Sequence, residues 1–174
     1  VNQVLVHRCG ERCPIEFTAA PIRKGNGPQI GCVLVFRDIS ETRDLQQQIS
    51  WQATHDALTG LHNRAALAER LTHAVFQARQ DDTWLSVCML DLDHFQAING
   101  QHGKPTGNLL IKEVALRLQD IAPDQANIAR LGGDEFVVLL TGQTDVASIH
   151  GQAQLMLQRI AQPYAIGDQQ ISLT

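Results

Sequence analysis

The stretch Leu131-Gly132-Gly133-Asp134-Glu135-Phe136 decides how the rest of the chain is read. Two glycines open a tight turn, two carboxylates follow on its far limb, and the apolar run Phe136-Val137-Val138-Leu139-Leu140 leaves it. Strand, glycine turn and strand predict a β-hairpin. Acids at such a tip are either solvated charges or partners for a cation, or for a metal-bearing substrate, brought close to the backbone. A second acidic segment upstream favours the latter.

That segment follows Leu85-Ser86-Val87-Cys88-Met89-Leu90, which is apolar enough throughout to predict a central, buried strand. The strand ends in Asp91-Leu92-Asp93-His94-Phe95. A carboxylate at the C-terminal end of a central strand sits where ligands commonly bind. The order strand, helix, strand, hairpin can bring Asp91 beside Asp134. Converging carboxylates with no base among them repel unless a cation lies between them. Hard oxygen ligands suit Mg²⁺ or Mn²⁺, and Mg²⁺ at such sites usually brings phosphates. The plainer alternative is that Asp91 or Asp93 only caps the following turn.

Helical spacing is predicted around this pair over Ala66 to Ala78, over about 106–121 with Pro123 as its stop, and over about 146–161 before Pro163. A strand is expected at Asn127–Leu131 and a further hairpin within 164–173. Upstream, Val4–Val6, Ile15–Ala20 and Ile30–Phe36 read as three strands, with turns at Gly10-Glu11 and Gly25-Asn26-Gly27-Pro28. Residues 41–55 predict an exposed helix with a thin apolar seam (Leu45, Ile49, Ala53), suited to pairing with its own copy. The fold class expected is α+β: a central mixed sheet flanked by helices, joined by that helix to a partial antiparallel sheet.

Composition narrows the partners. The 174 residues carry a net charge of −4 with no basic cluster, which argues against nucleic acid. No apolar run reaches membrane-span length. The four cysteines fit neither a zinc ribbon nor a disulfide framework and are read as reduced cytoplasmic thiols. The seven histidines show no ligand pattern. The chain starts with Val in strand-like sequence, so a fragment of a longer protein, membrane-anchored elsewhere or not, is expected.

Asp56-x-Leu58-Thr59-Gly60-Leu61-x-Asn63-Arg64, then Asp91-x-Asp93-x-Phe95-x-x-Ile98-Asn99, then Gly132-Gly133-Asp134-Glu135-Phe136 together resemble the ordered signature of the GGDEF, or diguanylate cyclase, family. Residues 1–40, ending Phe36-Arg37-Asp38-Ile39-Ser40-Glu41, are similar to the C-terminal strands of a PAS sensor domain. The resemblance implies three segments: PAS-like strands over 1–40, a signalling helix over 41–55, and a GGDEF domain over 56–174, truncated at its C-terminus. It implies a bacterial signalling transferase that condenses two GTP into cyclic di-GMP across a homodimer. By the family's pattern, Asp91, the Leu92 carbonyl and Asp134 hold metal, and Asp134 and Glu135 are catalytic. His94, Phe95, Gly132 and Gly133 approach phosphates or nucleotide through backbone, Asn99 and Asn108 read guanine, and Leu61 lines the base pocket.

Four positions depart from the family's usual residues: Gln96 for Lys, Gly100 for Asp, Lys104 for His, and Asn108 for Asp. Guanine offers adjacent N1–H and N2–H donors. A carboxylate accepts both, whereas an Asn oxygen accepts one and its NH₂ opposes the other. The substitution costs roughly 1–3 kcal/mol of binding. The window Pro123-Asp124-Gln125-Ala126 lacks the Arg and Asp of the family's inhibitory product site, so no feedback inhibition is expected there. After Leu131 the only base is Arg159, while the family draws its triphosphate-binding Lys and Arg from a later segment. The 174 residues alone are therefore expected to be inactive. The competing expectation is a weak GGDEF domain that binds GTP and tunes a following EAL phosphodiesterase.

Overall fold

The computed structural model describes residues 3–23, 25, 28–122, 124, 127–167 and 169–173. The chain divides into two compact units, Val1–Trp51 and Gln52–Thr174.

The first unit is an antiparallel meander of β1 (Gln3–Val6), β2 (Arg12–Arg23) and β3 (Gln29–Asp38) in the order β1-β2-β3. Alternation puts Phe17 opposite Phe36, with ring centroids 6.1 Å apart. Ile15 is the only buried residue among the described residues of this unit. Asn26 and Gly27 of the expected second turn lie outside the described residues. Helix α1 (Ser40–Thr54) starts where Asp38 accepts a 2.8 Å hydrogen bond from the Ser40 amide, and it buries no residue.

The second unit is built on β4 (Trp84–Asp91), β5 (Ile128–Gly132) and β6 (Glu135–Gln143) in the order β4-β6-β5. β6 is the central strand, and its alternation feeds two layers. Phe136, Val138 and Leu140 join one core cluster with Leu110, Ile111, Val114, Ala115 and Leu118 of α4 (Lys104–Ile121). Those positions recur at helical spacing, and each Leu, Ile or Val side chain contributes about 1.5–3 kcal/mol on burial. Val137 and Leu139 point to the opposite face, where α2 (Arg64–Asp81) packs on β5 and β6 through the buried Ala66 and Ala74. Met156 and Ile160 of α5 (Val146–Ile160), and the hairpin of β7 (Tyr164–Ile166) and β8 (Gln169–Ile171), complete the first cluster. Asp168 lies outside the described residues. Arg117 fastens this end: its guanidinium donates to the carbonyls of Arg159, Gln162 and Pro163 and lies 3.6 Å from the Tyr164 ring centroid.

Two expectations are corrected. β4 is not central: among the described residues it pairs only with β6, and Val87 and Met89 are 51 % and 70 % exposed on the face that α2 covers elsewhere. A continuous apolar run fixes neither strand order nor how many faces are covered. Among the described residues the strand pairs are antiparallel rather than mixed, and a single isolated parallel bridge joins His62 to Ala129. A further short helix, α3 (Phe95–His102), lies between β4 and α4. Asn99 and Gly100 depress its local propensity, and packing on α4 overrides that. Helix α4 stops at Ile121, and Ala122 turns extended (φ −74°, ψ 133°), as the residue before a proline must. Pro123 itself lies outside the described residues.

Candidate functional site

Asp91 is the last residue of β4, and the chain then turns sharply into α3. Leu92 is buried and anchors the turn in the core. His94, the residue preceding α3, adopts a left-handed conformation (φ 60°, ψ 19°) that costs a non-glycine residue about 1–2 kcal/mol. Its carbonyl accepts from the Ala97 and Ile98 amides, and Leu92 accepts from Phe95. The strained residue thus starts the helix so that its first turn faces the end of β4. A helix N-terminus presents amides and a partial positive charge, which suits anionic groups.

The hairpin supplies the opposite wall. Gly132 pairs with Glu135, leaving Gly133 and Asp134 as a two-residue loop. Gly133 has φ +55° while Asp134 does not reach positive φ, the pattern of a type II′ turn with glycine first. Across the sheet Asp91 is in register with Glu135. The outcome is an open cavity of about 570 Å³ lined by Asp91, Leu92, Asp93, His94, Phe95, Gln96, Ala97 and Asp134. No Lys or Arg lines it. Among the described residues no group of three His, Cys, Asp or Glu side chains converges as a metal cage. The donor set nevertheless fits Mg²⁺, which is commonly held by one or two carboxylates with phosphates and water completing its shell. Gly132, Gly133 and Glu135 are exposed at the rim.

Two further expected residues lie outside this lining. Asn99 is partly buried on α3 against α4, and Asn108 is exposed in the first part of α4. Leu61, expected at a base pocket, is 2 % exposed in the core cluster with Leu92 and Phe95. An apolar residue directly after the Gly60 turn is drawn inward by that burial, and it supports the cavity floor from beneath.

A latch that motif spacing did not reveal joins the Asp56–Arg64 segment to the hairpin. The Arg130 guanidinium donates to Asp56 Oδ1 at 2.8 Å and, through Nε and Nη2, to the Gly133 carbonyl at 3.2 and 2.7 Å. Asp56 also accepts from the Thr59 amide and hydroxyl at 3.0 and 2.7 Å. The ion pair is mostly shielded, with side chains 11 % and 21 % exposed. Burial pushes the Asp56 carboxyl up, but the bonds from Thr59 and Arg130 outweigh it and hold its pKa below the ordinary value. Asn63 serves two helices. Its oxygen accepts from the Ala65 and Ala66 amides at the start of α2, and its NH₂ donates to the Gln52 and Ala53 carbonyls at the end of α1. The one sequence signal for this latch was an arginine immediately ahead of Leu131-Gly132-Gly133.

The family model described as diguanylate cyclase, GGDEF domain, matches residues 53–174. The chain belongs to the GGDEF family. This GGDEF domain is 42 % identical over 124 residues to the bifunctional diguanylate cyclase/cyclic di-GMP phosphodiesterase MucR of Pseudomonas aeruginosa, covering 70 % of this chain and 18 % of that protein. It is 39 % identical over 178 residues to the cyclic di-GMP phosphodiesterase PdeB of Shewanella oneidensis, covering 93 % of this chain and 20 % of that one. Among solved structures, a sensory box/GGDEF family protein of Caulobacter crescentus superposes with a TM-score of 0.64 at 38 % identity, over 70 % of this chain and 78 % of that one. The GGDEF domain here is thus a cyclic di-GMP signalling domain, and the chain spans about a fifth of these two relatives' length. Of the expected inhibitory window, Pro123, Gln125 and Ala126 lie outside the described residues, and Asp124 pairs with Arg70 at 3.0 Å. Among the described residues no helix is long and apolar enough to cross a membrane.

Proposed function

We propose that this GGDEF domain binds GTP with a divalent cation and, in its full-length protein, condenses two GTP into cyclic di-GMP across a homodimer, each 3′-hydroxyl displacing pyrophosphate from the α-phosphate of the other GTP. The observation that carries this reading is the shared cavity: Asp91, Asp93 and Asp134 face the N-terminal turn of α3. Carboxylates beside a helix N-terminus suit a ligand that is anionic yet arrives with cations.

In this reading Asp91, the Leu92 carbonyl and Asp134 hold Mg²⁺ or Mn²⁺. An ion held there would supply neutralisation of phosphate charge and easier ionisation of a ribose 3′-hydroxyl. His94 and Phe95 offer backbone amides to the phosphates, Gly132 and Gly133 let nucleotide approach the hairpin, and Asn99 and Asn108 meet the guanine edge. Asp134 and Glu135 act at the reacting hydroxyl. The β1–β3 sheet is read as the last strands of a PAS-like sensor over residues 1–40, α1 as the helix that pairs two copies, and residues 56–174 as the GGDEF domain proper. The test is incubation of the full-length protein with GTP and Mg²⁺, following cyclic di-GMP, beside Asp134→Asn. Product from the parent and none from the variant supports the reading. Absence of Mg²⁺-dependent GTP binding rejects it.

Asn108 favours a second reading. A domain with weakened guanine contacts serves better as a GTP sensor for an attached EAL phosphodiesterase, and the names of MucR and PdeB include that activity. GTP that changes the rate of cyclic di-GMP hydrolysis without yielding product distinguishes this case.

A further inference from the structure

Gly107 is buried in the first part of α4. Glycine there costs about 1 kcal/mol relative to alanine. Its backbone does not explain it, because Gly107 is absent from the positive-φ glycines, unlike Gly103, Gly132 and Gly133. Those at the hairpin have open space where a side chain would be, so conformation selects glycine there. At Gly107 the situation is reversed. A Cβ built on it would collide with Asn99 Oδ1, lie 2.9 Å from Asn99 Cγ and lie 3.3 Å from Phe95 Cζ. What requires glycine is therefore the space taken by Asn99 on the facing helix.

We propose that Gly107 is a positioning residue for nucleotide recognition: its bare Cα lets the Asn99 amide stand against α4, beside Asn108, where the two can meet one base together. The inference rests on the reading of the site as a guanine-nucleotide pocket. The colliding atoms belong to the far end of one partly buried side chain and not to backbone. A methyl group at 107 is accommodated when Asn99 swings to another rotamer and Phe95 yields by a few tenths of an ångström. The fold survives and the alanine suits the helix, but the amide leaves its place. Phe95 also lines the phosphate cavity, but what must yield to a methyl at 107 is the far end of its ring and not its backbone, so contacts to the phosphates persist. Base recognition and phosphate binding then separate, which a purely structural glycine would not produce.

The experiment is a double-mutant cycle on the full-length protein with Mg²⁺, titrated with GTP and with inorganic tripolyphosphate as a base-free probe. Gly107→Ala is expected to weaken GTP binding about tenfold, the value of one lost hydrogen bond of this kind, and to leave tripolyphosphate binding and the melting temperature nearly unchanged. Asn99→Ala is expected to weaken GTP by a similar factor. In that background Gly107→Ala should add nothing, because the group it displaces is gone. Undiminished GTP affinity in Gly107→Ala, an additive loss in the double variant, or an equal loss for both probes overturns the proposal. So does a Gly107→Ala chain that fails to fold, since Asn99 then cannot give way. A parent protein that binds tripolyphosphate but not GTP rejects the guanine reading itself, whereas a parent that binds GTP beside an indifferent variant rejects only the role of Gly107.

Discussion

Arg130 ties Asp56 to the hairpin: one guanidinium reaches the Asp56 carboxylate at 2.8 Å and the Gly133 carbonyl at 2.7 Å. The turn after α1 and the turn that carries Asp134 therefore share a single cation. Removing either partner strands a largely shielded charge. Arg130→Ala or Asp56→Ala is expected to cost roughly 3 kcal/mol in the stability of the second unit. Hydrogen exchange of the β6 amides reads that loss locally. Arg130→Lys should recover only part of it, because an ammonium cannot span both acceptors as a planar fork does.

The same pair predicts how stability responds to acid. The folded Asp56 pKa lies below its ordinary value of 3.8, so the unfolded chain binds this proton more readily. Its contribution is fully present above the ordinary value and is lost as pH falls through the folded one. Lowering the pH from neutral into the acid range should lower β6 protection. Asp56→Asn should be less stable at neutral pH and should show a flatter acid limb. An identical acid limb in the variant would assign the response to other carboxylates, such as the helix-capping Asp38 and Asp145, whose pKa values are also lowered by hydrogen bonds to their helix starts.

Asn108→Asp restores a second acceptor for the N1–H and N2–H pair of guanine. GTP affinity of the full-length protein should rise by about one order of magnitude, consistent with roughly 1–3 kcal/mol for a charge-assisted bond. Calorimetric titration of parent and variant compares them directly. Equal affinities would remove Asn108 from the recognition site.

Gly133→Ala forces a Cβ into φ +55° with no steric neighbour to blame. Strain alone should cost about 1–2 kcal/mol and loosen the loop that presents Asp134. Mg²⁺-dependent GTP binding should weaken, while Gly142→Ala, at φ +69° and remote from the cavity lining, should show the stability loss without the binding loss.

The acidic pair was legible because its chemistry is local. Asp91 closes an apolar strand and Asp134 sits on a glycine turn, and like charges at both places call for a cation. The amphipathic helices were equally plain, since Leu110, Val114 and Leu118 repeat at helical spacing. What escaped depends on partners distant in sequence. β4 reads as central because Leu85–Leu90 is apolar but for Ser86, yet strand order is set by which edge β6 takes. Leu61 belongs to the core because the Gly60 turn aims it there. Arg130 acts through a residue 74 positions away, and Gly107 through the absence of a side chain, which periodicity cannot register.

Asn63 has one further consequence. Its short amide reaches the Ala53 carbonyl at 3.0 Å on one side and the Ala65 amide at 3.0 Å on the other, and such bonds weaken steeply once stretched or tilted. A side chain of that length has no slack. The last turn of α1 cannot drift gradually while α2 stays seated. Loss of the Asn63 amide is therefore expected to free both helix ends together.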